Sequence, residues 1–194
     1  MPEEMILIPD FHPFPELQTE RLVLRKIELS DAPSLYKLRA DDHVIKYLDR
    51  AKPDSIDEIY SLIKTIQEET NRNNSVNWAI TIKGDTRLIG TIGFWRMQKE
   101  HFRAELGYML FPEFEGKGLM HEALAIVLGY GFKKMNLHSV EANCNPNNNR
   151  SIKLLEKNNF IREGLFKENY YYKGKFLDSA IYSLLSWKFS DQNK

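Results

Sequence analysis

The chain has one cysteine, Cys144, so no disulfide can form within it. A lone thiol agrees with a reducing compartment, and a cytoplasmic protein is expected. Net charge is also missing: 27 basic side chains balance 27 acidic ones. That argues against a whole-molecule footprint for nucleic acid, so no such partner is expected. No apolar run approaches the length that crosses a bilayer. The opening MPEEMILIPDFHPF is acidic and proline-broken, unlike a secretory leader. No membrane partner is expected. The five histidines are scattered, none at ligand spacing from another His or from the cysteine, so no metal is expected. Repeats and low-complexity tracts are lacking too. Hydrophobic residues still reach 42%, enough for a core, and 194 residues suit one domain.

The informative stretch is residues 104–124, AELGYMLFPEFEGKGLMHEAL. Residues 104–111 read as a buried strand. Pro112 stops its ladder, having no N–H to give. Gly116 and Gly118 flank Lys117 in a tight loop. Met120, Ala123, Leu124, Val127 and Gly131 then follow one helical face. Such a junction suits an anion. The first helical turn has unpaired N–H groups at the positive end of its dipole, and glycines let a phosphate approach the backbone. A diphosphate would lie on the amides of residues 115–120. From Gly-Lys-Gly alone, a ligand-free corner is the commoner case. Two familiar phosphate loops do not fit. A P-loop needs Ser or Thr after its lysine, and Gly118 follows Lys117; the dinucleotide fingerprint needs a third glycine where His121 stands.

Residues 1–18 carry several prolines and read as an extended arm, pinned by Phe11 and Phe14. Residues 19–26 alternate as a strand with Leu22 and Leu24 on one face. Ser30-Asp31-Ala32-Pro33 starts a helix whose pattern, Leu35, Leu38, Val44, Ile45, Leu48, is broken. Residues 55–70 predict a second helix with Ile56, Ile59, Tyr60, Ile63 and Ile66 inward. Between them, Asp41, Asp42, His43, Tyr47 and Asp49 form either an acidic lip for a cationic amine or an exposed polar turn. Residues 76–83 and 87–97 predict a hairpin turning at Gly84-Asp85, and Gly90 and Gly93 predict a close backbone approach or a bulge. Residues 103–111 complete an antiparallel meander. Residues 139–144 read as a strand, with Cys144 a packed thiol rather than a nucleophile. A helix capped by Asn148 or Asn149 runs to Asn158. Residues 160–167 and 178–187 form a closing hairpin. Its connection holds Tyr170, Tyr171 and Tyr172, which serve packing, an interface or an acceptor-site wall.

Four blocks resemble the GNAT N-acetyltransferases, and among them the RimJ/RimL-type branch that acetylates ribosomal-protein N-termini. The family's acetyl-CoA loop, Q/R-x-x-G-x-G/A, aligns with Glu115, Gly116, Lys117, Gly118, Leu119 and Met120. L-x-T-E-R-L-x-L-R is matched by Leu17, Thr19, Glu20, Arg21, Leu22, Leu24 and Arg25. N-x-x-S-x-x-L-L-E-K-x-x-F is matched by Asn148, Ser151, Leu154, Leu155, Glu156, Lys157 and Phe160. Gly174, Asp178, Tyr182 and Leu184 resemble the closing strands. The blocks fall in order over residues 17–187. Glu115 departs from the usual Gln or Arg, Met120 from a small residue, and Asn159 from glycine.

The resemblance implies an α/β fold: a GNAT-like single domain, residues 19–188, with a mixed, mostly antiparallel bent sheet flanked by helices, between the arm and a tail at 189–194. It implies acetyl-CoA as co-substrate, entering where the strands ending at Phe111 and Cys144 splay. Cofactor contacts would come from Met109, Leu110, Phe111, residues 115–120, Asn148 and Ser151. Leu110 would lend its backbone N–H to the carbonyl oxygen. Ser151 would protonate the leaving thiolate and Asn148 hold the pantetheine; both also read as ordinary helix-cap residues, and a phenol of Tyr170 to Tyr172 is the fallback acid. Glu105 would be the base for direct transfer, or else a rim ion pair with Arg103 or a neighbouring strand. His101 is the weaker candidate. Tyr47, Glu105 and Tyr171 would border the acceptor. The expected acceptor is a primary amine, first a protein N-terminal α-amino group of the ribosomal-protein type, whose pKa of about 7.7–8.0 needs only a modest base. A small amine (amino sugar, polyamine, amino acid or antibiotic) is the alternative, and a silent acyl-CoA-binding protein the third reading. Monomer and homodimer both remain open.

Overall fold

The computed structural model describes residues 6–190. The elements are β1 (Leu17–Gln18), β2 (Leu22–Lys26), α1 (Ala32–Ala40), α2 (Asp42–Ile45), α3 (Ile56–Asn71), β3 (Val76–Ile82), β4 (Gly90–Gln98) and β5 (Arg103–Leu110). They continue with α4 (Leu119–Lys133), β6 (Ser139–Cys144), α5 (Asn149–Lys157), β7 (Ile161–Tyr172), β8 (Lys175–Leu185) and α6 (Ser186–Ser190). One sheet runs in the order β1-β2-β3-β4-β5-β6-β8-β7. Among the described residues only β5 and β6 pair in parallel; the other neighbours are antiparallel. The sheet is mixed and mostly antiparallel, as expected.

Alternation along the strands makes two cores. Leu22, Leu24, Trp78, Ile80, Ile92, Phe94, Leu106, Val140 and Tyr182 face α4 and α5. The intervening Ala79 and Met109 face α1 and α3 with Leu35, Leu38, Ile59 and Ile63. Period-two backbone geometry sends neighbours to opposite faces, so each strand serves both layers. Trp78 is fully buried. Its indole N–H donates to the Pro15 carbonyl at 2.6 Å, and Phe14, Phe94 and Tyr130 pack edge-on around it. Asp31 is buried and holds Arg25 through two hydrogen bonds of 2.8 and 2.7 Å, tying β2 to the start of α1.

Several boundaries differ from the sequence reading. The first helix stops at Ala40, because Asp41 leaves helical geometry and caps α2 instead. Ile56 is exposed at the first turn of α3, while Ile59 and Ile63 are buried. The closing hairpin is longer than predicted. Tyr170, Tyr171 and Tyr172 lie in β7, and the turn falls at Lys173 and Gly174, both in the left-handed region. Within the predicted arm, Leu7 and Phe11 are buried and Leu17–Gln18 pairs with β2. Residues 1–5 of that arm and 191–194 of the predicted tail lie outside the described residues.

Gly90 and Gly93 mark close backbone approach; the irregularity in β4 falls later, between Trp95 and Gln98. A Cβ at Gly93 would stand 2.4 Å from the Val76 carbonyl oxygen, whereas one at Gly164 meets nothing within 4 Å. We therefore expect Gly93→Ala to lower stability by about 1–3 kcal/mol and Gly164→Ala to change it little. Urea midpoints of the two variants check this.

Candidate active site

β5 is paired along its whole length on one edge only. Its ladder with β4 reaches Gly90 opposite Leu110. With β6 it makes three rungs, Arg103–Ser139, Ala104–Val140 and Glu105–Glu141, and then the two strands part. β6 continues to Cys144 against β8. Successive strand amides point to opposite edges. The Phe111 N–H donates to Ile89 on the β4 side at 3.0 Å. The Leu110 N–H therefore faces the gap, as does that of Tyr108 two residues earlier.

The loop at the mouth of this gap is pre-shaped. Gly116 and Gly118 have φ of 73° and 76°. Gly118 is the N-cap of α4 and supplies no side-chain cap, so the first-turn amides keep their donors. A Cβ at Gly116 would meet nothing within 4 Å, so open space lies over the loop. In the same first turn the His121 Nδ1 is buried without a partner. Bare amides, open space and an orphaned ring nitrogen suit the diphosphate of the implied co-substrate. Arg21 braces the loop from behind, donating to the Lys117 carbonyl at 3.0 Å and pairing with Glu122 at 2.6 Å. Burial pushes the Glu122 carboxyl up, but hydrogen bonds from Thr19 and Arg21 outweigh it and hold the pKa below the usual range. Leu119 and Met120 are buried in the core, so they offer the loop amides rather than side chains.

Glu115 is the awkward residue of this loop, since a carboxylate beside a diphosphate repels it. Its carboxylate is occupied by Arg150, from the first turn of α5, and lies 3.1 Å from His43 of α2. Lys117 does not neutralise it; its ammonium stands 5.4 Å from the Phe114 ring centre.

Glu105 and Ser151 stand on opposite faces of β5. Glu105 occupies the last rung before the gap, on the face of α1 and α3, its side chain only 11% exposed. Burial raises its pKa, Arg96 at 3.3 Å opposes that, and Glu141 adds to it. Of the rim ion pairs considered from sequence, Arg103 pairs with Glu141 instead, whereas the pair with a neighbouring strand is present, through Arg96 of β4. On the other face the Ser151 hydroxyl meets the Tyr108 hydroxyl at 2.6 Å. Burial raises the Tyr108 pKa, with Ser151 opposing. Asn148 accepts from the Ser151 N–H at 3.1 Å, which makes it a helix cap. His101 sits before β5, at the end remote from the gap, and is exposed. Cys144 is half-buried, and burial pushes its thiol up to about 11, so it stays protonated.

The acidic lip is spoken for. Asp41 caps α2 through the amides of His43 and Val44. Asp42 pairs with Lys52 at 2.8 Å. Asp49 accepts from the Tyr170 hydroxyl, joining the segment to β7. Tyr47 is half-buried under Lys46, at 5.1 Å. Tyr171 is not gathered with them: it is exposed and packs on Phe176 at 5.1 Å between centroids. The Tyr172 hydroxyl is buried and unpartnered.

Three participants escaped the sequence reading. Tyr108 was visible only as a strand aromatic. Arg150 adjoins Ser151 but is 35 residues from Glu115. Trp95 pairs across the ladder with Glu105, and its indole nitrogen lies 3.6 Å from where a Gly107 Cβ would be. A glycine two residues past Glu105 was the one available signal for that flat contact. Among the described residues no group of three His, Cys, Asp or Glu is placed to hold a metal, and no helix is long and apolar enough to cross a membrane.

Comparison with known proteins agrees with this geometry. Residues 21–161 match the acetyltransferase (GNAT) domain. The chain is 36% identical to an uncharacterized N-acetyltransferase, p20, of Bacillus licheniformis, over 90% of this chain and 98% of that protein. It is 28% identical to the ribosomal protein uS5-alanine N-acetyltransferase of Escherichia coli, over 87% and 89%. It is 25% identical to the spermidine N(1)-acetyltransferase of Vibrio cholerae, over 90% and 98%. A GNAT-family acetyltransferase structure from Bacillus anthracis superposes with a TM-score of 0.80 at 28% identity, covering 89% of this chain and 99% of that one. The splayed strands, the bare glycine loop and these likenesses agree: the chain belongs to the GNAT family and is an acetyl-CoA-dependent N-acetyltransferase.

Proposed function

We propose that the acceptor is an N-terminal α-amino group of a protein, that Glu105 removes its proton, and that Ser151 returns a proton to the departing thiolate. The observation that carries this is the placement of Glu105 and Ser151 on opposite faces of one strand, at the point where it leaves β6. Amine and thioester would then approach from opposite sides. Acetyl-CoA supplies the thioester carbonyl. The chain's own groups do the rest. The Glu105 carboxylate, its pKa raised by burial, is a stronger proton acceptor than an exposed one. The Leu110 N–H faces the gap, where an oxygen gaining charge would accept from it. Ser151 gives its proton to sulfur, the Tyr108 hydroxyl hydrogen-bonds the serine oxygen left behind, and water reprotonates Ser151 while Glu105 releases the amine's proton to water. Cys144, kept protonated, is unsuited to an acyl-enzyme route, which favours direct transfer.

The choice of acceptor rests on two points. An α-amino group with a pKa of about 7.7–8.0 is within reach of a carboxylate base, whereas a lysine-type amine near 10.4 is harder to deprotonate. The lip carboxylates Asp41, Asp42 and Asp49 each have a partner inside the chain, which supports a neutral peptide terminus over a polycation such as the Vibrio cholerae relative's spermidine. A panel of short peptides with free Ala, Ser or Met N-termini, amino acids, polyamines, aminoglycosides and amino sugars tests this by thiol release. Turnover on peptides that vanishes when the N-terminus is blocked is expected. Turnover on small amines alone would replace the reading with the small-molecule alternative.

Glu105→Gln should lower kcat by about 10²–10⁴. Its stability effect has the opposite sign. A raised native pKa stabilises the fold below the unfolded value and loses that contribution as pH rises through the native one, so at pH 7 ionised Glu105 is a burden. The variant should melt no lower than wild type at pH 7. In wild type the acid limb of kcat/KM should fall above the ordinary carboxylate value; in Glu105→Gln it should vanish.

Ser151→Ala and Tyr108→Phe should each slow turnover, and the double variant should be no slower than the worse single one if the two act as one proton path. Additive losses would separate them. Arg21→Ala should weaken CoA binding about tenfold by calorimetry, with little change in kcat at saturation, because it releases the Lys117 carbonyl. Unchanged affinity would mean that the loop holds its shape without the brace.

A further inference from the structure

The end of β4 is irregular, and the irregularity builds a cavity beside Glu105. Phe94 is buried in the core under α4, and Met97 packs against the same core. In a regular strand, side chains on one face are two residues apart; these are three apart. The extra residue is absorbed at Arg96, whose φ is 45°, where the ladder with β5 shifts register. Trp95 and Arg96 therefore emerge together on the other face, that of Glu105. A side chain held in the left-handed region costs free energy, and such residues cluster at functional sites.

The contacts are continuous. The Trp95 indole lies over Gly107, two residues past Glu105 on the same face. The Arg96 guanidinium stacks on that ring, 4.3 Å from its centre, and donates to the Glu105 carboxylate at 3.3 Å. The other charge acting on Glu105 is Glu141 of β6, which Arg103 holds. From Trp95 and Arg96 a cavity of about 430 Å³ runs to Lys99, to Glu69 in the last turn of α3, and to Asn74 and Ser75 beyond it. The carboxylate in its wall is used: Glu69 accepts from Arg72 at 3.2 Å and from the Asn74 amide at 3.1 Å. The donors are not used up. Among the described residues Lys99 meets only the Asn74 side-chain oxygen, at 3.3 Å, Arg96 spends one N–H on Glu105, and the Trp95 indole N–H has no acceptor. An indole face with spare cationic donors and no spare carboxylate suits an anion.

We infer that this cavity is an anion subsite for the acceptor: it takes a carboxylate carried on the same residue as the acceptor amine or on the next, and Arg96 passes from Glu105 onto that carboxylate as the acceptor seats. Arg96 is thus a positioning residue. Resting on Glu105, it opposes the rise that burial gives the carboxyl's pKa; drawn away, it leaves a stronger proton acceptor once an amine has arrived. The distance between the acceptor's two charges follows from contact, because Arg96 touches the base and lines the cavity. Asp or Glu at the second position of a peptide, or the α-carboxylate of a free amino acid, meets this requirement; polyamines and aminoglycosides do not. The inference rests on the reading that Glu105 takes the amine's proton.

Tryptophan emission tests the cavity without turnover. CoA-loaded protein is titrated with the amides of Ala-Asp-Ala and Ala-Asn-Ala, and with alanine and alaninamide. The carboxylate member of at least one pair should bind about tenfold tighter, with a change in emission that Trp95→Phe abolishes. Preference within the peptide pair assigns a side-chain carboxylate, and within the alanine pair an α-carboxylate. Arg96→Gln and Lys99→Gln should each reduce the preference to about twofold or less. Equal affinity within both pairs, an emission change that survives in Trp95→Phe, or a preference that survives in both charge variants would overturn the subsite. The pH profile tests the exchange. With Ala-Asn-Ala amide, Arg96→Gln should move the acid limb of kcat/KM to higher pH, since Glu105 loses its cation, and Lys99→Gln should leave it in place. An unmoved limb in Arg96→Gln would refute the exchange, whereas a limb that survives in Glu105→Gln would refute the base. Peptide turnover without preference for Asp would uphold the proposed function and overturn the subsite; preference through Arg96 and Lys99 with no peptide turnover would do the reverse.

Discussion

The parting of β5 from β6 after the Glu105–Glu141 rung is the constraint from which the site follows. An interior strand loses its partner along one edge while keeping β4 on the other, so backbone groups such as the Leu110 and Tyr108 N–H face open space. A buried donor left unmet costs about 1–3 kcal/mol, so this edge calls for water or a ligand that can stand in for a strand. The amide-bearing arm of acetyl-CoA is such a ligand. The same parting separates two environments. The face covered by α4 and α5 carries Ser151 and Tyr108; the face covered by α1 and α3 carries Glu105. In the proposed mechanism this lets a proton acceptor and a proton donor serve one reaction without neutralising each other, because the strand itself stands between them.

The charges around the mouth serve geometry more than stability. Arg150 and His43 are exposed and Glu115 is half-buried, and pairs with exposed partners contribute only about 0–1 kcal/mol. Their value is connectivity. Glu115 belongs to the loop after β5, Arg150 to the helix after β6, and His43 to α2. A carboxylate that is electrostatically wrong for a phosphate loop becomes tolerable when an arginine already sits on it, since a guanidinium has donors enough for carboxylate and phosphate together. Arg21 acts from the other side, linking β2 to the loop carbonyl and to Glu122.

Much of this was legible in the sequence, and the parts that were not share a cause. Strand alternation and helix caps are local, so β3, β6 and α5 fall close to where the residues predict them. The glycine loop and Glu105 were carried by resemblance. What could not be read were contacts between distant positions: Tyr108 with Ser151, 43 residues apart, and Asp49 with Tyr170, 121 apart. The hairpin was underestimated because Tyr170 to Tyr172 resemble a connection by composition, yet their alternation continues β7. Tyr170 then turns to the acceptor segment while Tyr171 turns away onto Phe176, a distinction that depends on strand parity through an irregular register between Phe166 and Tyr170. Asn148 is a helix cap, as its residue type alone suggests, and the Ser151 hydroxyl three residues on meets Tyr108.

The acceptor side shows why residue counts mislead about local field. Residues 41–54 read as acidic, with Asp41, Asp42 and Asp49 in one short stretch, and a cationic substrate follows naturally from that tally. Folding engages most of these carboxylates: one caps α2, one pairs with Lys52 and one accepts from Tyr170, while Asp54 stays exposed. Arg39 and Arg50 are left without partners while half-buried. Glu105, on the face of α1 and α3, is a carboxylate that burial has made more basic, so what a tally of the segment's charges suggests and what the folded surface presents are different quantities.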